Sequence, residues 1–429
     1  MPLALPVRRR RAALFLLFLV TGVAMASWVT RTPAIRDATG VSTAGMGLII
    51  FGLSVGSMLG VLSSGTLVAR FGARPVTAAG VVLLVIGLGV LALGTTLGSG
   101  LLVSLGLAFF GASCGAQEIA INVEGAAVEQ VVERPVLPAL HGCFSGGTVV
   151  GAGLGIGMTA LAFPLGWHFL LVAALVAGSG VWALRQLPAA TGKEGTSDQD
   201  PSLTACERLA VWREPRVVML CLLVLGLALA EGSANDWLPL IAVDGYGLDA
   251  VAGSVAFTVF AAWMTIGRFS GGYLLGRFGR VRIMRAGTAL AALGILGVVF
   301  APTPALGIAS VVLWGLGTSL GFPVALSAAG DEPKGAAARV SAVATAGYLA
   351  FLCGPPALGF VGEAVGLRYA MLVVLAFVVL AGACAGVVRS PAGQVLRTHL
   401  PAGAPGADAP AGTPESSSPP AGKLPSARD

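Results

Sequence analysis

Twelve apolar runs, each about as long as a bilayer's hydrocarbon core is thick, follow one another along the chain. They cover 12–32, 44–68, 75–97, 101–125, 137–163, 166–187, 217–241, 251–275, 283–301, 305–329, 340–362 and 367–389. About 20 apolar residues in helical form cross a core of about 30 Å. Hydrocarbon offers no partner to a peptide N–H or C=O, so each run must bond its backbone to itself as a helix. The pattern predicts an all-α membrane protein with twelve transmembrane helices. Composition agrees: 11% of the residues are charged, against about 25% in soluble domains. That is too little polar side chain to clothe a water-facing surface.

One turn pattern occurs twice. Gly65, Leu67, Arg70, Phe71 and Gly72 are matched by Gly272, Leu274, Arg277, Phe278 and Gly279. Each copy closes one apolar run and, after further arginines, opens the next. The copies lie six runs apart, which predicts two pseudo-symmetric six-helix bundles. The bundles fall in residues 1–187 and 217–390. Between them is a polar linker, 188–216, whose stretch Thr191 to Asp198 cannot bury apolar surface and is expected to be mobile. A tail, 391–429, rich in Pro, Ala, Gly and Ser, reads as disordered.

Basic residues set the orientation. One side of the bilayer receives Arg8–Arg11, Arg70, Arg74, Arg134, the linker, Arg277, Arg280, Arg282, Arg285, Lys334, Arg339 and the tail. The other receives Arg31, Arg36 and Arg368. Both termini are therefore expected in the cytoplasm, in a bacterial-type inner membrane. The basic leader and Ala24-Met25-Ala26 imitate a secretory signal, but the apolar run continues to about Val29 and eleven more follow, so it reads as an uncleaved first helix. The formal charge of +6 does not indicate nucleic acid, because the arginines sit in short turns and form no stripe.

Catalysis finds no support. No phosphate-binding Gly-x-x-x-x-Gly-Lys-Ser/Thr loop occurs, and no His/Cys/Asp cluster has metal-ligand spacing. Cys114, Cys143, Cys206, Cys221, Cys353 and Cys384 form no Cys-x-x-Cys pair; they read as small buried apolar residues. No cofactor, metal or enzyme activity is expected.

Two six-helix sets, a central linker and the repeated turn resemble the major facilitator superfamily over roughly residues 10–390. The turn is similar to that superfamily's loop motif, with departures. The usual Asp is replaced by Ala69 in the first copy and Gly276 in the second, and Ala73 stands where the first copy would end in Arg. The resemblance implies a gating role for Gly65, Arg70, Gly72, Arg74, Gly272, Arg277, Gly279 and Arg280, with helix C-terminal carbonyls replacing the absent carboxylate. The stretches Asn122 to Glu129, His141 to Gly147 and Glu231 to Trp237 are similar to the fucose-permease-like branch. The Gly-Pro signature of drug antiporters is absent from 146–157, and Gly354-Pro355-Pro356 reads as a kink.

An ionisable group at mid-membrane costs at least about 2.5–3.5 kcal/mol, so it normally faces a cavity or a partner. Glu118 with Asn122, and Glu231 with Asn235, place a Glu/Asn pair at i, i+4 once in each half. The resemblance implies a proton-coupling role for Glu118; the bland alternative is a carboxylate tied to a neighbouring helix. Glu231 reads as cavity lining or a bond between halves, and Asp236 as an outer gate. Arg268 has three readings: binding an anionic solute, pairing with a carboxylate such as Glu118 across the halves, or snorkelling to the headgroups. His141 reads as an inner-gate hydrogen bonder, and His168 and His399 as incidental. Trp263 and Trp314 fall mid-span and are candidate substrate contacts. Trp28 and Trp237 fit an interfacial belt.

The expectation is a secondary carrier working by alternating access as a monomer in the lipid bilayer. Its partners are protons and a small-molecule substrate, with sugar-like symport the leading reading. Efflux of an apolar compound, or a non-transporting receptor or scaffold, are the alternatives.

Overall fold

The computed structural model describes residues 5–132, 136–189, 191–193, 210–332 and 335–389. Its helices are α1 (Leu5–Val29), α2 (Thr32–Thr39), α3 (Thr43–Phe71), α4 (Ala73–Thr96), α5 (Gly100–Val132), α6 (Leu137–Ala160) and α7 (Leu165–Leu184). They continue with α8 (Pro215–Leu240), α9 (Ala250–Phe278), α10 (Arg280–Phe300), α11 (Pro304–Thr318), α12 (Gly321–Ala329), α13 (Ala336–Val365) and α14 (Leu367–Cys384). Twelve of these segments, counting α11 and α12 as one, are long and apolar enough to span a bilayer. The expected spans are met. The tenth, however, is broken at Ser319–Leu320, and α2 is a short extra helix on the face opposite the chain's start. Below, the "termini face" is the end where α1 begins, and the "far face" is the other end.

Helix pairing repeats after six spans. In the first set α3 packs on α5, α4 on α5, α1 on α6, α4 on α7 and α1 on α7. In the second set α9 packs on α11, α10 on α11, α8 on α13, α10 on α14 and α8 on α14. The sets meet along α3–α13 and α6–α9, which are again equivalent pairs. Dispersion holds such contacts, since lipid tails remove the hydrophobic drive between helices. Small residues therefore line the closest crossing: a Cβ at Gly56 or Gly111 would overlap the backbone of Ala108 or Leu53, so α3 and α5 touch main chain to main chain.

Both repeated turns need glycine for a conformational reason. Gly72 has φ +91 and Gly279 has φ +79, each ending one helix and starting the next. Gly65 and Gly272, by contrast, face open space, so no close approach requires them.

The linker departs from expectation at its start. Thr191 accepts a hydrogen bond from the Ala73 backbone N–H at 2.8 Å and from Arg10 at 3.4 Å, so 191–193 dock beneath α3 and α4. The remainder, 194–209, and the tail lie outside the described residues, as does Cys206. The other five cysteines form no disulfide, but they are not the fully buried residues expected: four are half-buried and Cys353 is exposed. The helix α13 runs through Pro355 and Pro356 without interruption.

Candidate functional site

On α5, Cys114, Glu118, Ile121 and Gly125 recur at i, i+4, i+7 and i+11 and share one face. That face points inward, because Gly125 packs on Leu137 and Leu140 of α6 and Ile121 is buried in the core. Glu118 lies on it and is nevertheless open to water. An inward side chain that water can reach defines a hollow. A Coulombic interaction links Glu118 to Tyr348 of α13, so the hollow lies between the two six-span sets. Tyr348 in turn meets Phe322 of α12 edge to face, 6.3 Å between centroids.

Glu231 sits on α8 and Arg268 on α9, and the guanidinium donates to the Glu231 carboxylate at 2.7 Å. A longer bond of 3.5 Å from Arg268 Nε reaches the Ser319 carbonyl at the break between α11 and α12. The sequence reading that Arg268 pairs with a carboxylate holds, with one correction: the carboxylate is Glu231 of its own set and not Glu118 across the halves. His141 of α6 is open to water, stands edge-on to Phe18 at 5.2 Å and interacts electrostatically with Arg268. The hollow thus collects Glu118 and His141 from one set and Glu231, Arg268 and Tyr348 from the other. Glu118 makes no ion pair among the described residues, whereas Glu231 does.

The other candidates are placed as follows. Asn122 Oδ1 is buried without a partner, beside Glu118. Asn235 is half-buried one turn from Glu231. Asp236 is buried at 6% exposure, with no hydrogen bond among the described residues. Trp314, a candidate substrate contact, is fully buried, donates its indole N–H to the Ala230 carbonyl at 3.1 Å and meets Phe260 edge-on, so it packs against α8 one residue before Glu231. Trp263 lies five residues before Arg268, about 140° away round α9, and is exposed. Trp28 and Trp237 are both 0% exposed, which removes the interfacial-belt reading for them.

The termini face holds its basic residues in distinct ways. Arg70 and Arg277 lie over the rings of Phe71 and Phe278, at 5.2 and 5.7 Å. Arg280 bonds Asp331 at 2.7 Å and Ser327 at 2.9 Å, and Arg216 bonds Asp331 at 3.0 Å. The second copy thus has a carboxylate partner, Asp331 at the end of the tenth span, in place of the expected helix carbonyls; Arg216 also reaches a carbonyl, that of Ala328, at 3.3 Å. Arg74 is half-buried. Sequence reading also missed Glu124, fully buried and paired with Arg10 at 2.5 Å. Its place on the inward side of α5, one turn past Ala120, was the available signal.

The far face is closed between the sets. Gly47 of α3 abuts α13, where a Cβ would come to 2.7 Å from the Pro355 carbonyl. Ser54 donates to the Phe351 carbonyl at 2.7 Å and Ser254 to the Thr30 carbonyl at 2.9 Å. The Ala44 N–H donates to Glu363 at 3.1 Å, and Arg36 pairs with Asp244. Among the described residues, these hydrogen bonds between sets all lie toward the far face. The hydrogen-bonded closure is therefore on the far face, whereas on the termini half the Phe269 ring of α9 lies against Gly142 of α6.

Comparison with known proteins adds the following. The family model described as Major Facilitator Superfamily matches residues 12–348 and 254–416. An uncharacterized MFS-type transporter of Yersinia pestis is 28% identical over 354 residues, spanning 81% of this chain and 88% of that protein. The membrane protein MosC of Rhizobium meliloti is 27% identical over 373 residues, 86% of this chain and 88% of its own. The solved structure of nucleoside transporter NupG aligns with TM-score 0.68 at 16% identity, over 90% of this chain and 100% of that one. FucP in an outward conformation aligns with TM-score 0.63 at 18% identity, over 89% and 99%. At these identities the solved structures speak for the fold.

Proposed function

The chain belongs to the major facilitator superfamily, and on that premise we propose that it is a proton-coupled carrier of a small, sugar-like or nucleoside-like solute. The observation that carries the reading is the contrast between two inward carboxylates. Glu231 has the Arg268 guanidinium against it. Glu118 faces water in the same hollow and has no cation among the described residues. When the sets rock together and expel that water, a bare carboxylate would be stranded in a low-dielectric site. A proton neutralises Glu118 and permits the closure; Glu231 needs none. The Tyr348–Phe322 pair beside it offers a flat apolar surface and one hydroxyl, suited to a ring that carries few charges. The neighbours' printed names, a nucleoside transporter and a fucose:proton symporter, agree with that class.

In this reading the chain acts as a monomer in the cytoplasmic membrane. The termini face is cytoplasmic, as the distribution of arginines favours, and the present state is the inward-facing one. Residues 1–187 and 217–390 are the two moving bodies, with Arg70, Arg74, Arg277 and Arg280 on the cytoplasmic turns between their helices.

The test uses proteoliposomes and a panel of monosaccharides and nucleosides, first ranked by thermal shift. For a solute that binds, wild type should show uptake driven by an inward proton gradient. Glu118→Gln should lose gradient-driven uptake and keep solute exchange. Gradient-driven uptake that survives in Glu118→Gln removes Glu118 from coupling. An absence of any solute-dependent change in cysteine labelling on the two faces would instead favour a receptor or scaffold.

A further inference from the structure

Away from the hollow, three buried side chains near the far face of the first set present donors that nothing accepts. Arg31 follows α1 and is 5% exposed. Its Nη2 donates to the Phe163 carbonyl at 2.7 Å, but Nε and Nη1 are buried without partners. No carboxylate of the described residues pairs with it. His168 on α7 is 1% exposed, and both ring nitrogens are buried and unpartnered. A Coulombic interaction joins it to Arg31. Trp28, one turn before Arg31, is fully buried and its indole N–H also lacks an acceptor.

The backbone adds to the same imbalance. His168 is the fourth residue of α7, whose N-terminus no side chain caps, and the first turn of a helix carries partial positive charge. The turn before it is held by Ala162 at φ 49, a left-handed conformation costly for a residue other than glycine. It places the Phe163 carbonyl against Arg31. One carbonyl cannot satisfy a guanidinium, and a guanidinium keeps its charge. Water would meet the spare donors but leave the charge offset only by the C-terminal dipole of α1 and one carbonyl. All three side chains are enclosed, which restricts any ligand to a small one.

We infer that Arg31 and His168, with the N-terminus of α7, form a binding site for a small inorganic anion of the halide class. The anion neutralises Arg31 and ties α1 to α7 beneath α2, the helix that carries Arg36 of the far-face closure. This site is separate from the hollow and does not depend on the transported solute.

The experiment uses the purified full chain in detergent, with sodium chloride replaced stepwise by gluconate at constant ionic strength. Unfolding temperature should rise saturably with chloride in wild type and in Arg213→Gln, an exposed arginine elsewhere. In His168→Phe the chloride midpoint should move about tenfold upward, the loss of one charge-assisted hydrogen bond. Arg31→Gln should abolish the dependence. Should that variant not fold, bromide-grown crystals of wild type decide: an anomalous peak within hydrogen-bond distance of Arg31 and His168 supports the site. A chloride-independent unfolding temperature, a midpoint unmoved in His168→Phe, or a water in place of the anomalous peak overturns it.

Discussion

The Arg268 guanidinium meets the Glu231 carboxylate at 2.7 Å, joining α8 to α9 inside one six-span set and leaving Glu118 of the other set without a cation. Removing one partner of such a pair leaves a charge with lost solvation and nothing in return. Arg268→Met should therefore destabilise by about 1–3 kcal/mol, read as unfolding temperature in detergent. The double variant Arg268→Met/Glu231→Gln should recover more than half of that loss. A double variant no better than the sum of its parts would show that the pair is not coupled.

The four arginines of the basic leader should differ sharply. Arg10 alone of them is paired with the fully buried Glu124 and reaches the docked linker residue Thr191, whereas Arg8 is exposed. Arg10→Ala should cost about 3–5 kcal/mol, the usual penalty of orphaning a buried charge. Arg8→Ala should stay within about 0.5 kcal/mol of wild type. Chemical unfolding in detergent compares them.

Glycines at fixed and at moving interfaces should respond differently. Gly56 packs α3 on α5 within one set, and Gly47 packs α3 on α13 between sets. Overpacking costs about 1–3 kcal/mol where the contact must persist. Gly56→Val should lower stability and yield. Gly47→Val should fold, but should wedge the far face apart; spin labels at Ala38 and Leu248 should report a longer distance than in wild type.

Trp314→Phe tests the packing role of that residue. It deletes the bond to Ala230 and should cost about 0.5–1.5 kcal/mol in stability. Because the ring is wholly enclosed, solute affinity measured by thermal shift should not change by more than the stability loss explains.

Legibility in the sequence followed the range of the forces involved. Spans were readable one at a time, because a run such as 75–97 must satisfy its own backbone in hydrocarbon whatever surrounds it. The break at Ser319–Leu320 also had a local signal, which went unread: Pro323 has no N–H for the Ser319 carbonyl four residues before it, and Arg268 reaches that freed carbonyl at 3.5 Å. The inward position of Glu118 was readable from the cost of a charge in lipid.

The twelve apolar runs, their lengths and the repeated turn were enough to determine twelve helices in two equivalent sets, because those are local and additive constraints along one chain. Tertiary structure decided which charges are partnered. Arg268 sits beside Glu231, Arg10 beside Glu124, and Arg280 beside Asp331, while Arg31 meets a lone carbonyl. An ion pair depends on distances of a few ångströms between helices far apart in the chain, and spacing along a sequence does not encode that separation.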